Sequence, residues 1–387
     1  MELPGPDLPD TPPDIPVREG ARLRGYRTAD PADHRDDVDA VLAMASEEVF
    51  ARWTTVPVPY RREHAERFVR EVVPAGWASG RDLTWALEVD GEHAGTVSLR
   101  PADDGGAEVG YGLDVRHRGR GHLAAALRAL LPWAAARGVA VVRWQAHVGN
   151  WPSRRCAWAA GIRVEGVVRR RSAQRGELHD AWVGTWCAGD PTEPATPWLE
   201  VPRVELPSAG AVLRPWADDD VPRVVQACTD PTTRRWLTQL PEPYGPEQAR
   251  AFVEGLRADA AQGHAVGWCV ADAASGTALA STTLFGLGQG GRPAEVGYWA
   301  HPDARGRGVV TAALRAAARH ALLPADVGGL GLPAVLVRAE PGNAASVAVA
   351  RRARMHPAGW DLAPDGEGRP PVRLDRFLLT ASDLDGA

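Results

Sequence analysis

The two halves of this 387-residue chain repeat one another. "GARLRGYRTAD" (20–30) is matched by "GAVLRPWADDD" (210–220), and "RWTTVPVPYRREHAERFV" (52–69) by "RWLTQLPEPYGPEQARAFV" (235–253). "AEVGYGLD" (107–114) then corresponds to "AEVGYWAH" (294–301), and "VGNWPS" (148–153) to "PGNAAS" (341–346). Matches that keep their order across a half-chain require two related domains, because the period is far longer than a solenoid unit. Between the copies, "GDPTEPATPWLEVPRVELPS" (189–208) is Pro- and Thr-rich without helical period, with a short strand expected near Val204–Leu206. The expected organisation is a disordered Pro-rich tail over 1–17, a domain over 18–188, a linker over 189–203 and a second domain over 204–387.

Both copies read alike. A short strand (23–27; 212–216) precedes helical segments (37–50; 221–228), then a Pro-Tyr loop opens a helix (63–73; 247–260). Alternating strands follow (83–100; 266–285), joined in the first copy by an Asp-Gly turn. The strand "AEVGY" comes next, then a glycine pair, then a helix. Its apolar residues recur at helical spacing: Leu123, Leu127, Leu130, Leu131 and Ala134, or Val310, Leu314, Ala317 and Ala321. A further strand (139–148; 333–341) leads to a second helix after an Asn. The fold class is α/β (α+β), with a mostly antiparallel sheet built around a strand–Gly loop–helix unit.

That loop carries the chemistry. "RHRGRGHLAAALRALL" (116–131) and "ARGRGVVTAALRAAAR" (304–319) each set two glycines before a helix N-terminus, where free N–H groups and the helix dipole favour an anion. Glycine admits a phosphate without a Cβ in the way, and the flanking arginines add forked donors. The Walker pattern and the three-glycine dinucleotide fingerprint are both absent, so ATP and NAD find no support. RNA binding would want a basic, disordered RGG tract, whereas net charge is −5 and the motif sits between ordered elements. Four scattered cysteines give neither a zinc pattern nor a disulfide framework, and no apolar run reaches membrane length. A cytoplasmic protein without metal, membrane or nucleic-acid partner is expected.

With "EVGY" before it and "GN-x-x-S" some way after it, the R-x-x-G-x-G of Arg116–Gly121 resembles the GNAT superfamily of N-acetyltransferases. "PVPY" and "AEVGY" are most similar to the branch that includes ribosomal-protein N-terminal acetyltransferases. The resemblance covers 18–188 and 204–380 and implies two tandem GNAT-like domains, each with a splayed central strand. It implies acetyl-CoA as donor, with the pyrophosphate on Arg116, Arg118, Gly119, Arg120, Gly121 and His122, and again on Arg305, Gly306, Arg307, Gly308 and Val309. Asp303 stands where the first copy has Arg116. The pantetheine arm is implied along Val109–Gly110 and Val296–Gly297, with Asn150 and Asn343 contacting it or fixing the local backbone.

Acetyl transfer to an amine needs a neutral nucleophile, an oxyanion donor and a stabilised leaving thiolate. Glu108 and Glu295, at the head of "EVGY", are the general-base candidates; a solvated strand-end carboxylate is the alternative. The Tyr that some relatives place seven residues after the Asn is Ala157 here, and Ala350 in the second copy. Ser153 and Ser346 are therefore the shared hydroxyl candidates, with helix capping as their alternative role. Cys156 faces Val349 in the other copy, which argues for a buried thiol and against covalent catalysis. Trp53, Tyr60 and Tyr111, with Trp236, Tyr244 and Tyr298, are the acceptor-groove candidates; Tyr111 and Tyr298 also suit a core role.

The expected function is direct transfer of acetyl to a primary amine of a small molecule, natural product, antibiotic or peptide. The alternatives are a protein N-terminal acetyltransferase, or a CoA-binding sensor or scaffold without turnover in one or both domains. The first copy is the favoured active one, and the chain is read as a two-domain monomer or a homodimer.

Overall fold

The computed structural model describes residues 6–28, 37–288, 292–364 and 370–384. It divides into two compact units, Met1–Ala195 and Thr196–Ala387. The first contains β1 (Ile15–Arg18), β2 (Ala21–Arg24), α1 (Asp37–Ala45), α2 (Glu48–Trp53), α3 (Arg62–Arg67), α4 (Val73–Ser79), β3 (Leu83–Val89), β4 (Glu92–Pro101) and β5 (Gly106–Leu113). It continues through α5 (His122–Ala135), β6 (Val141–His147), α6 (Trp151–Ala159), β7 (Arg163–Gln174) and β8 (Glu177–Cys187). The sheet order is β1-β2-β3-β4-β5-β6-β8-β7, and only the β5–β6 pair is parallel.

The second unit repeats this plan. Its elements are β9 (Val204–Leu206), β10 (Ala211–Arg214), α7 (Val221–Thr229), α8 (Pro231–Trp236), α9 (Pro246–Ala261), β11 (Ala265–Asp272), β12 (Ala278–Phe285) and β13 (Ala294–Ala300). They are followed by α10 (Val309–Leu322), β14 (Ala334–Ala339), α11 (Ala344–Arg352), β15 (His356–Ala363) and β16 (Val372–Thr380). The order β9-β10-β11-β12-β13-β14-β16-β15 is the same topology, again with one parallel pair, β13–β14. Each domain is thus a mostly antiparallel mixed sheet flanked by helices.

Local chemistry explains the elements. Asp90 and Gly91 both have positive φ (50° and 84°), as a tight β3–β4 hairpin turn demands. The central strand β3 is buried along its whole length, because the sheet is covered on both faces there. The helical period of α5 places Leu127, Leu130, Leu131 and Ala134 fully inside; Ala313, Leu314, Ala317 and Ala321 do the same in α10. The expected helix over 37–50 is broken at Ser46–Glu47 into α1 and α2.

The N-terminal Pro-rich segment differs from expectation. Residues 6–17, read as a disordered tail, are laid against the first domain: Ile15 is buried in β1, and the Asp7 N–H donates to Arg137 O. Buried Trp85 donates its indole N–H to Pro13 O at 3.1 Å, and its counterpart Trp268 donates to Pro202 O at 2.9 Å. The tail and the end of the linker thus fill the same place in each copy. Composition missed this because the contribution is a backbone carbonyl, which any sequence supplies. Deleting residues 1–14 leaves the Trp85 N–H buried without a partner, at about 1–3 kcal/mol. A fall of several degrees in the first domain's melting temperature is expected, against no change for a free tail.

Candidate functional site

β5 runs beside β4 for its full length but pairs with β6 only from Gly106↔Val141 to Glu108↔Arg143. Beyond Glu108 the two parallel strands part. In the second domain β13 and β14 separate at the equivalent residue, after Glu295↔Leu336. Inside a sheet, parting strands leave backbone N–H and C=O groups that need another partner. The gap opens onto a groove of about 720 Å³ in the first domain and about 1270 Å³ in the second. Val109, Gly110, Gly119, Gly121 and Asn150 line the first; Val296, Gly297, Gly306, Gly308, Val309 and Asn343 line the second.

At one end of each groove lies the glycine pair. Gly119 and Gly121 have φ of 75° and 73°, and Gly306 and Gly308 have 74° and 78°, a conformation that strongly favours glycine. A Cβ at any of the four would meet no protein atom within 4 Å, so the space beside them is open. Gly121 and Gly308 are the N-caps of α5 and α10, and neither helix has a side-chain cap. By contrast, α6, α8 and α11 are capped by Asn150, Asp230 and Asn343. The two uncapped N-termini keep their N–H groups for an outside anion. A pyrophosphate fits this loop.

The arginine and histidine side chains are less uniform than the motif suggested. Arg116 is forked onto Asp114 at 3.0 Å, and Arg118 is turned onto Glu47, at the α1–α2 junction, and Leu113 O. Arg305 likewise pairs with Asp230 and donates to Thr233 Oγ1 at 2.9 Å. The arginine before the first glycine of each loop therefore ties it to the helix pair preceding the acceptor segment. Arg120 is exposed, and Arg307 reaches Asp272 at 3.7 Å. The His122 ring is buried and bonded to Arg18, which leaves its backbone N–H as the group at the start of α5. Asp303, in the Arg116 position, accepts from Arg223 at 2.9 Å and bonds His301 at 2.8 Å.

Glu108 and Glu295 stand where the strands begin to part. Glu108 accepts from Arg100 at 3.2 Å and from Gln145 at 3.1 Å; Glu295 accepts from Arg338 Nε at 2.9 Å. Gln145 and Arg338 occupy equivalent positions on β6 and β14. These donors tie each carboxylate to the flanking strands, a geometry that fits these residues to bracing the splay.

Ser153 and Ser346 do not cap their helices. Their N–H groups are the ones capped, donating to Asn150 Oδ1 at 3.2 Å and Asn343 Oδ1 at 3.1 Å. Each hydroxyl instead meets a tyrosine across the groove: Ser153 Oγ donates to the Tyr111 hydroxyl at 3.1 Å, and Ser346 Oγ lies 2.9 Å from that of Tyr298. Tyr111 also donates to Ser153 O at 2.8 Å, and Trp144 Nε1 donates to Ser153 Oγ at 3.3 Å. Burial pushes the Tyr111 phenol far above its usual range, and Tyr298 upward too, so both stay protonated donors. Cys156 lines the first groove with its thiol pushed up to about 11 by burial, which keeps it in the thiol form.

At the far end, Trp53 and Trp236 lie 3.6 Å from where a Cβ on Gly149 and Gly342 would sit, and both line their grooves. Tyr60 and Tyr244 do not. Tyr60 packs with His64 in the α1–α3 cluster, and Tyr244 is buried in the core beside Cys228. His147, Ser172 and Gln174 line the first groove and escaped the sequence reading. Gln174 holds the acceptor segment by donating to Arg52 O at 3.1 Å and Thr54 O at 2.6 Å. A signal for His147 existed: the residue three before the motif Asn is titratable in both copies, His147 and Glu340.

The family profile for the acetyltransferase (GNAT) domain matches residues 30–163 and again residues 211–356. The chain belongs to the GNAT acetyltransferases. Both of its domains are of this family, and it is an N-acetyltransferase. Among solved structures, the chain is similar to RimL, a ribosomal L7/L12 alpha-N-protein acetyltransferase, at 22% identity and a TM-score of 0.40, over 46% of this chain and 94% of that one. It is also similar to Mycobacterium smegmatis RimJ in complex with a CoA-disulfide, at 22% and 0.41, over 48% and 90%. A third is the microcin C7 self-immunity acetyltransferase MccE in complex with acetyl-CoA and AMP, at 19% and 0.40, over 47% and 98%. No curated protein matches. In this GNAT chain no described helix is long and apolar enough to cross a membrane.

Proposed function

We propose that each domain binds acetyl-CoA and transfers its acetyl group directly to a primary amine that carries an apolar or aromatic body. The observation that carries this is the conjunction, twice over, of an uncapped glycine-led helix N-terminus with a strand that parts from its neighbour. The loop N–H groups take the pyrophosphate, and the unpaired backbone of β5 or β13 takes the pantetheine amides as a neighbouring strand would. Unpaired N–H groups on the same strand supply the oxyanion donor, already oriented before reaction. The amine nitrogen attacks the carbonyl carbon; the N–C bond forms and the C–S bond breaks. The amine's remaining proton goes to the thiolate, and the Ser153–Tyr111 or Ser346–Tyr298 hydroxyl pair stabilises that sulfur as it leaves. Holding both substrates in one groove contributes much of the rest.

The aromatic lining supports the acceptor class: Phe50 and Trp53 in the first groove, and Trp236, Phe252, Phe285 and Trp299 in the second. The test follows free-thiol release from acetyl-CoA with 2-phenylethylamine and with a short peptide bearing a free N-terminus. Release with 2-phenylethylamine is expected. Release with the peptide alone would move the acceptor to protein N-termini. Release with neither, while CoA still binds, would make the chain a CoA-responsive binding module.

A further inference from the structure

We infer that His147 in the first domain and Glu340 in the second take the proton from the acceptor's ammonium. This rests on the transfer reading above. A primary alkyl amine is protonated at neutral pH, so a base must act before attack. The strand-head carboxylates Glu108 and Glu295 are held by Arg100, Gln145 and Arg338, which leaves the role open.

His147 and Glu340 hold equivalent sequence positions, three residues before the capping Asn: His147 is the last residue of β6, and Glu340 directly follows the last residue of β14. Both line their grooves, on the acceptor side. The surroundings of His147 are built to present a ring nitrogen. β7 and β8 lose register between Val168 and Ser172, so that Arg169–Arg171 bulge out and Arg170 adopts a φ of 52°. The Arg170 N–H donates to Asp180 Oδ1 at 2.8 Å, which pins the bulge. Bulges of this kind re-aim the residues that follow them. Here Ser172 arrives 2.8 Å from His147 Nε2. His179 on β8 stacks on one face of the imidazole at 4.9 Å, and Trp53 on α2 meets it edge-on at 6.4 Å. In the tautomer that donates Nε2–H to Ser172, the lone pair is on Nδ1. Burial and the facing His179 push the imidazole below its usual range, which keeps it neutral and able to accept. Glu340 has no side-chain hydrogen bond or ion pair among the described residues, so its carboxylate is free where that of Glu295 is not.

The step balances. The ammonium gives one proton to His147 Nδ1, or to Glu340, and becomes a neutral amine. That amine attacks, the amide keeps one hydrogen, and the other leaves on the thiol. The imidazolium or carboxylic acid returns its proton to water.

The test, run at about pH 8.5, uses two acceptors of one shape, 2-phenylethylamine and its 2,2-difluoro analogue, whose fluorines leave the amine largely neutral at that pH while the parent amine is still mostly protonated. His147→Gln is measured in a Gly308→Glu background and Glu340→Gln in a Gly121→Glu background, so that each full-length chain reports on one domain. CoA titration checks that the remaining site is intact. A general base contributes roughly 100-fold or more. A loss of that size with 2-phenylethylamine is expected, with the difluoro amine changed less than threefold. Equal losses with both amines would make these residues structural and overturn the assignment, as would no loss with either. Wild type that consumes acetyl-CoA with neither amine would overturn the transfer reading itself.

Discussion

Gly121→Glu is expected to remove CoA binding from the first domain while leaving the second untouched. Gly121 ends the loop at a φ of 73°, and a side chain there would project into open space beside the uncapped start of α5. A carboxylate roughly 4 Å from a phosphate is opposed by about 4 kcal/mol at an effective dielectric near 20. At 1.4 kcal/mol per tenfold, that is about a 1000-fold loss of affinity. The left-handed backbone adds about 1–2 kcal/mol of local strain for any non-glycine residue. Gly121→Ala carries that strain without the charge and separates the two, with a tenfold loss or less expected. Gly308→Glu should act the same way in the second domain.

The second large effect lies in the core. Arg24 on β2 donates through Nε to Glu88 at 2.7 Å and through Nη1 and Nη2 to Asp37 at 2.7 and 2.9 Å. All three side chains are less than a tenth exposed. The network ties β2 and β3 to the start of α1, and so positions the α1–α2 pair that Arg118 grips. Burial pushes the Asp37 carboxyl up, but Arg24 and the Arg27 N–H outweigh it and hold it below the usual carboxylate range. Glu88 is held down against burial by Arg24, Arg27 and Arg22.

Arg24→Ala leaves the buried Asp37 without its charged partner, while Glu88 keeps Arg22 and Arg27, and is expected to cost the first domain about 3–5 kcal/mol. Both folded-state values lie below the unfolded ones, so the wild-type contribution is complete above the ordinary carboxylate range. It fades as pH falls through the depressed values. In the variant, burial is less opposed and the neutral acids are favoured. The gap between the two proteins should therefore be widest at neutral pH and narrow below about pH 4. Urea melts at pH 7 and at pH 3 measure this; a gap that did not change with pH would mean the loss is one of packing.

How legible this was from sequence depended on range. The hairpin at Asp90–Gly91, the apolar face of α5 and the glycine pairs are local patterns, and each formed where its residues required. The repeat doubled the weight of every such reading. Residues whose role depends on a distant strand were harder. Tyr60 and Tyr244 share a loop position with the groove-lining tryptophans, but their rings turn toward the helices beneath. Arg118 and Arg305 carry the motif's charge yet spend it on Glu47 and Asp230. His147 gains its meaning from Ser172, which reaches it only because of a bulge in β7. Each Pro-rich segment also gives one backbone carbonyl, that of Pro13 or Pro202, to a buried tryptophan, and side-chain composition is silent about that.

If the chain contains two complete donor sites, calorimetric titration of CoA counts them directly. Two equivalents per chain are predicted for wild type, falling to one in Gly121→Glu and one in Gly308→Glu. A single equivalent lost only with Gly121→Glu would leave the second domain without a donor site, and no binding at all would contradict the account as a whole.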